Sequence, residues 1–455
     1  VTGSPHTFDA AFNQVRQQPL RWGVNYTPSD SWFHSWQDLN IDSVKADLES
    51  IASIGLDHVR IFPLWPLLQP NRSLIRPEGI ADVGKVVDAA AEFGLDVSVD
   101  GLQGHLSSYD YLPSWVTSWH RRNIFTDPDV IAAEAELVTA LATEVTSRPN
   151  VLGMTLGNET NQFAVARHPE KHVTTPAQMG EWINTLISSV KKVWPAGMHQ
   201  HSFDDNVWFI DSSPVTPRHA ASLGDSTTVH SWVFTSVAQL FPAGHPARTL
   251  FADYLVQLAD AWADNPGRPI WLQEIGAPYP AVPKAEAADF LEASLRPSLD
   301  TPNLWGVTWW CSHDVSRKLA DFPELEYTLG LLDSDRKVKP AGRRLAELIA
   351  EEKLNPTPLR QRGTALSFDP GDESTGIGRS VTDPSGEVFA AWLELAARGE
   401  KPALVRESKL ADTAHLAGRG ITNVVTPGQL GAEAAGTGAA PVVSEANIWN
   451  ETVEA

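Results

Sequence analysis

Residues 151–159 read Val151-Leu152-Gly153-Met154-Thr155-Leu156-Gly157-Asn158-Glu159, and residues 269–276 read Pro269-Ile270-Trp271-Leu272-Gln273-Glu274-Ile275-Gly276. Each is a short apolar run that closes on a polar cluster containing a glutamate. An unbroken apolar run of this length fits a strand buried on both faces, as a parallel sheet requires. A carboxylate at the C-terminal end of such a strand stands where α/β barrels collect their functional groups.

Working outward, similar runs occur at 22–26, 58–62, 96–99, 199–203, 227–231 and 306–310, which makes eight in all. Helix-patterned segments lie between them at 41–54, 78–93, 128–147, 178–193, 250–263, 285–295 and 340–352. Gly55 and Gly94 end the first two, and Asp127-Pro128 supplies an N-cap and a first-turn proline for the third. Eight strands alternating with helices predict an α/β protein, a (β/α)8 TIM barrel over residues 1–354. The segment 206–224 is the poorest helix of the series. Asn355-Pro356-Thr357-Pro358 reads as a linker. Residues 359–455 read as a small C-terminal α/β accessory domain. Its helices are expected at 388–397 and 411–417, its strands at 403–405 and 422–425, and a mobile Gly/Ala-rich stretch at 428–443.

The formal charge of −21 on 455 residues repels phosphate, so nucleic acid and anionic membranes are poor partners and a neutral substrate is favoured. No apolar run approaches the roughly 20 residues that span a bilayer. The N-terminal stretch lacks the apolar core of a secretion signal, so a cytoplasmic enzyme is expected. Cys311 is the single cysteine, which rules out an intrachain disulfide. Seventeen tryptophans have two readings, a large aromatic core or stacking surfaces for sugar rings.

The polar residues at the strand ends are Asn25, Arg60, Asp100 with His105, Asn158 with Glu159, Asp204 with Asp205, His230, Glu274, and Trp310 with Asp314. Glu159 and Glu274 end the fourth and seventh strands, which face each other across a barrel mouth. Two carboxyl groups flanking one bond are what glycoside hydrolysis needs, and a separation of about 5 to 5.5 Å gives retention of configuration. A metal-dependent hydrolase is an alternative, because His199 and His201 alternate on one strand near Asp204, Asp205, His230 and Asp314. A sugar-binding barrel without turnover is another. No cofactor or metal is expected under the glycosidase reading.

Leu156-Gly157-Asn158-Glu159 and Leu272-Gln273-Glu274-Ile275-Gly276 resemble the acid/base and nucleophile motifs of clan A glycoside hydrolases, family 5 in particular. The resemblance covers about residues 20 to 350. It implies that Glu159 is the acid/base and Glu274 the nucleophile, that Arg60 touches the nucleophile, and that Trp310 floors the reacting sugar. It also places His230 at the sixth strand end. The run Leu329-Gly330-Leu331-Leu332-Asp333 with Lys339-Pro340-Ala341 resembles the segment before the last barrel helix in many members. Where many members carry a tyrosine two residues after that histidine, this chain has Trp232.

Physical roles follow. Asn158 bonds the 2-hydroxyl of the reacting sugar. Arg60 holds Glu274 ionised. Once Glu274 is esterified the neighbouring charge is gone, so Glu159 yields its proton more readily and serves as the base.

The ends of the fifth, sixth and eighth strands resemble the mannose-active members of family 5, which implies an exo-acting β-mannosidase. Its expected substrate is mannose-β-1,4-N-acetylglucosamine, with an endo-mannanase or glucanase as the alternative. The loop 104–126 carries His105, Tyr109, Tyr111, Trp115 and Trp119 and is long enough to close a groove into a pocket. Substrate contacts are expected from Arg60, His105, Trp119, Asn158, Asp204, Asp205, His230, Trp232, Trp310 and Asp314. By analogy within the clan, the C-terminal unit is expected to hold a homo-oligomer together.

Overall fold

The computed structural model describes residues 18–430 except 108 and 167. The expected Gly/Ala-rich stretch lies, from residue 431 onward, outside the described residues. Eight strands form one parallel ladder: β1 Arg21–Asn25, β2 His58–Ile61, β3 Asp96–Leu102, β4 Val151–Gly157, β5 Met198–Gln200, β6 Thr227–Ser231, β7 Ile270–Ile275 and β8 Leu304–Trp309. Their order is β5-β4-β3-β2-β1-β8-β7-β6. Between β5 and β6 the ring is bridged by single bonds, Asp225 N–H to the His199 carbonyl at 2.9 Å and Thr228 Oγ1 to the His201 carbonyl at 3.1 Å. This is the (β/α)8 barrel. Almost every strand residue is buried, because helices cover the outer face and side chains fill the inner one.

The surrounding helices are α1 Ile41–Ser53, α2 Pro77–Glu92, α3 Pro128–Val145, α4 Pro176–Val193, α5 Pro217–Ser222, α6 Pro246–Trp262, α7 Ala287–Leu295 and α8 Pro340–Leu354. All but α1 and α7 open on proline, which pre-sets φ where no N–H is needed. Asp127 caps α3 through the Asp129 N–H at 2.9 Å, and Thr175 with Gln178 forms a capping box on α4. The weak segment 206–224 contains only a 3-10 turn, Asp205–Trp208, and the six-residue α5. Its backbone is therefore free to shape the barrel mouth.

Beyond α8, three parallel strands, β9 Thr364–Phe368, β10 Ala403–Arg406 and β11 Asn423–Val425, form a sheet with β9 in the centre. Helices α9 Glu387–Ala397 and α10 Thr413–Gly418 accompany it. This sheet and its helices lie against α6. Phe389 and Trp392 meet Tyr254 at ring distances of 4.7 and 5.5 Å. Arg362 grips Asp253 at 2.6 and 2.9 Å, Arg419 reaches Asp260 at 2.6 Å, and Arg406 donates to the Ala261 carbonyl at 2.9 Å. So α6 is buried on the side facing the barrel and on the side facing the C-terminal sheet, which explains why apolar residues surround it. No helix among the described residues is long and apolar enough to cross a membrane.

Candidate active site

The register places Arg60 between Asn25 and Ser98 on neighbouring strands, with its side chain inside the ring. Its guanidinium is completely buried and fully used. Nε and Nη2 donate to Asp100 at 2.7 and 2.6 Å, Nη1 to Glu274 Oε1 at 2.7 Å, and Nη2 to Asn158 Oδ1 at 2.6 Å. A planar fork suits this multiple bonding in a way an ammonium would not. Asn25 ties β1 to β7 and β8 through the carbonyls of Gln273 and Trp309, at 3.0 and 3.2 Å. The amide of Asn158 donates to the His105 carbonyl at 3.1 Å.

Glu274 ends β7 with Arg60 on one oxygen and the Trp232 indole N–H, at 3.2 Å, on the other. Trp232 thus supplies a donor to this carboxylate. Burial lifts the Glu274 carboxyl above its ordinary value. His230, when it carries a proton on both nitrogens, and Arg60 pull it down, and Glu159 pushes it up. Arg60 opposes the rise both by its charge and by the hydrogen bond it donates, which is the sense in which it is expected to favour the ionised carboxylate.

Glu159 ends β4 and starts the 3-10 turn Thr160–Ala164 with φ +44° and ψ 34°. A non-glycine residue pays roughly 1 to 2 kcal/mol for left-handed backbone. Its N–H is anchored on the Ser202 carbonyl at 3.1 Å, so the turn aims the side chain across the mouth. His230 lies between the two glutamates, Nδ1 being 2.5 Å from Glu159 Oε1 and 3.3 Å from Glu274 Oε2. Oxygens of Glu159 and Glu274 approach within 4.8 Å of each other. That is near the spacing of retaining pairs and well inside the roughly 6.5 to 9.5 Å of inverting ones.

These groups open into a cleft. Asp204, Asp205, Asn206, Phe234 and Thr235, from the ends of β5 and β6, form the wall beside Glu159. Asp204 accepts from Asn161 at 2.5 Å and Asn206 at 2.6 Å, and Asp205 accepts from Thr235 Oγ1 at 3.0 Å. His105 and Ser107 after β3, and Leu325, Glu326 and Leu329 after β8, line it as well, as does Trp310.

The structure therefore brings His105, Asn158, Asp204, Asp205, Trp232 and Trp310 to the cleft, with Arg60 and His230 directly beneath the carboxylates. It does not bring Trp119 or Asp314 there. Trp119 is fully exposed on the outside of its loop. Asp314 accepts from Lys339 Nζ at 2.7 Å and the Gly330 N–H at 2.8 Å, and so ties the β8–α8 segment to the start of α8. His199 and His201 do share a face, but it is the outer one. The His199 ring contacts Trp194, and the His201 ring packs against Trp182 of α4. The metal set built on them is not assembled, since the alternation that aligns them also turns them away from the mouth. Gln162, Ser107 and Glu326 line the cleft without any sequence signal, because each sits in a segment with no periodicity.

Neither a protein-family model nor a curated protein matches the chain. Solved structures do. GH5_18 from Streptomyces cattleya in complex with GlcNAc is similar at TM-score 0.90 and 52% identity, over 92% of this chain and 100% of that one. A glutamate-to-alanine variant of GH5_18 from the same organism, in complex with Manb1-4GlcNAc, gives 0.89 and 52%, over 90% and 100%. GH5_18 from Bifidobacterium longum subsp. longum gives 0.88 and 41%, over 92% and 99%. With the paired strand-end glutamates and a match along almost its whole length, the chain belongs to the GH5_18 group of glycoside hydrolase family 5.

Proposed function

We propose that this protein is a retaining exo-β-mannosidase that releases mannose from mannose-β-1,4-N-acetylglucosamine. One observation carries the exo reading. Three loops meet in an aromatic cluster, and two of them also supply cleft residues, His105 and Ser107 after β3 and Leu325 and Glu326 after β8. Trp32 after β1, Tyr109 after β3 and Phe322 after β8 lie with ring centroids 4.7 to 5.7 Å apart. Tyr109 also hydrogen-bonds the Asp321 carbonyl. The two-residue strands His105–Leu106 and Tyr109–Asp110 form a hairpin that stiffens this cluster. A groove closed at one end accepts a chain terminus, and an endo-acting enzyme needs both ends open. The disaccharide bound by the Streptomyces cattleya variant supports the choice of sugar.

In this reading the Glu274 carboxylate attacks the anomeric carbon while Glu159 passes its proton to the leaving oxygen, and the glycosidic C–O bond breaks. Glu159 then takes a proton from water, whose oxygen displaces Glu274 from the same carbon. Asn158 bonds the 2-hydroxyl, and Asp204 and Asp205 meet the leaving sugar. The barrel ends near residue 354 and the C-terminal unit follows. The reading also puts the enzyme in the cytoplasm, where a small imported oligosaccharide is finished, and in a homo-oligomer joined through the C-terminal unit. Light scattering on the whole chain tests the oligomer, and a monomer mass would refute it.

Product analysis on mannose-β-1,4-N-acetylglucosamine, mannopentaose and cellopentaose tests the function. Release of mannose from the disaccharide at the highest kcat/KM is expected. Faster internal cleavage of either pentaose would overturn the exo reading.

A further inference from the structure

Glu326 belongs to the long segment between β8 and α8, and its residue is 5% exposed. The backbone there is fixed by Glu326 N–H to the Pro323 carbonyl at 3.1 Å and by Val315 N–H to the Glu326 carbonyl at 3.2 Å. Leu325 and Leu329 flank it, and it lines the cleft beside Ser107 of the hairpin. Among the described residues no lysine, arginine or histidine forms an ion pair with it. Burial pushes its carboxyl up to about 7, Glu274 adds to the rise, and the Ser107 hydroxyl works against it.

A buried carboxyl with no cation beside it, facing a catalytic carboxylate, is costly for folding. Packing does not call for it, since its two leucine neighbours would accept an apolar residue. Its donor and acceptor capacity points into the cleft, toward a ligand rich in hydroxyls. The general acid must stand by the leaving oxygen, so the leaving sugar lies along the Asp204–Thr235 wall that flanks Glu159. Glu326 comes instead from the β8–α8 segment, the one that also carries Phe322 of the aromatic cluster.

We propose that Glu326 is a specificity-determining residue of the pocket for the terminal sugar, hydrogen-bonding the hydroxyls of that sugar farthest from the anomeric carbon and occupying space that a further sugar would need. This rests on the exo-β-mannosidase reading. A protonated carboxyl donates one bond and accepts others, which matches a pair of vicinal hydroxyls.

The test compares wild type, Glu326→Ala and Glu326→Gln on 4-nitrophenyl β-D-mannopyranoside and mannose-β-1,4-N-acetylglucosamine. The two substrates share only the terminal mannose. Glu326→Ala should lower kcat/KM by about 10- to 100-fold, to the same extent on both within about 3-fold. Glu326→Gln keeps the shape, a donor and an acceptor, and should retain most of the activity. The melting temperature of both variants should equal or exceed that of wild type. A loss confined to the disaccharide would place Glu326 against the leaving sugar and overturn the assignment. Unchanged kcat/KM in a folded Glu326→Ala would do the same. The parent reading fails separately, on wild type alone, if internal cleavage of mannopentaose outruns the disaccharide.

Discussion

Nε2 of His230 lies 3.2 Å from Oε1 of Gln273. The Gln273 amide is oriented by its own Nε2, which donates to Thr155 Oγ1 at 3.0 Å, so an acceptor faces the imidazole. The ring proton therefore sits on Nε2, an assignment that follows from the network of donors and acceptors. Burial holds His230 below its ordinary pKa, so the ring is neutral and Nδ1 presents a lone pair to Glu159 at 2.5 Å. That arrangement accepts a hydrogen bond from Glu159 in its acid form, the form the first step requires.

Gln273→Leu removes the acceptor and frees the tautomer. Its kcat/KM for mannose-β-1,4-N-acetylglucosamine should fall by about 10- to 100-fold, part of the 10²–10⁴ that a placed acid contributes. The fall on 4-nitrophenyl β-mannoside should be several-fold smaller, because that leaving group needs little protonation. Steady-state kinetics on both substrates check this. Equal losses would reduce Gln273 to a packing residue.

The two glutamates should separate in the same way. Glu274→Ala should abolish turnover to below about 10⁻⁴ of wild type, and azide should restore part of it by attacking the anomeric carbon in place of the carboxylate. Glu159→Ala should cut hydrolysis of the disaccharide far more than that of the aryl glycoside. Azide rescue of Glu159→Ala with the aryl glycoside is also expected, at the second step. The product's anomeric configuration, read by NMR, distinguishes the two rescues, since azide gives the α-glycosyl azide with Glu274→Ala and the β-glycosyl azide with Glu159→Ala.

How much of this was legible in the chain depended on the kind of signal. The catalytic strands were readable because both faces of a parallel strand are buried, which leaves an apolar run and then a polar end. β9 was not, because Thr364-Ala365-Leu366-Ser367-Phe368 mixes small and polar residues in the middle of a small sheet. Nearness to a strand end points to Asp314 and a long loop points to Trp119, but sequence distance does not give side-chain direction. The His199/His201 pair shows the same limit. Period-two alternation says that two residues share a face and is silent on which face. Glu326 lies in a segment with no period at all, so only the fold could bring it to the cleft.

His201 makes the outer-face placement measurable. Its ring stacks on Phe203 at 6.1 Å, and neither ring nitrogen meets a hydrogen-bond partner among the described residues. Burial lowers its pKa from 6.5 to about 3. A base whose folded pKa is depressed binds fewer protons folded than unfolded, so stability is full above the unfolded value and is lost as pH falls below about 6.5. At pH 5 the loss from this one residue is about 2 kcal/mol. His201→Phe should leave neutral-pH stability within about 1 kcal/mol of wild type and shrink the loss between pH 7 and 5 by about that 2 kcal/mol. Urea unfolding at the two pH values checks it. An unchanged acid sensitivity would mean that the ring is hydrated in the folded state.

The C-terminal unit bears on the leaving-sugar wall through Arg379. This residue is fully buried on the 3-10 turn Arg379–Thr382, and its guanidinium donates to the carbonyls of Ile210, Ser213 and Val215, the latter two at 3.1 Å. Thr382 Oγ1 reaches the Trp208 carbonyl at 3.0 Å, and Ser380 N–H reaches Asp211 at 3.0 Å. All these acceptors lie in the segment that begins with Asp204 and Asp205 and has almost no regular structure of its own. Arg379→Met removes the donors while keeping the apolar stem. It should destabilise the protein by about 2 kcal/mol, because buried carbonyls lose their partners. If the clamp also sets the wall, KM for mannose-β-1,4-N-acetylglucosamine should rise about 10-fold, the worth of one or two misplaced hydrogen bonds. The aryl mannoside, which has no second sugar to meet that wall, should change less than about 3-fold in kcat/KM. Arg379→Lys retains one set of donors and should fall between. Kinetics at a temperature well below the unfolding transition separate the two effects. A lower melting temperature with KM unchanged on both substrates would make Arg379 a strut for the fold with no hold on the leaving sugar.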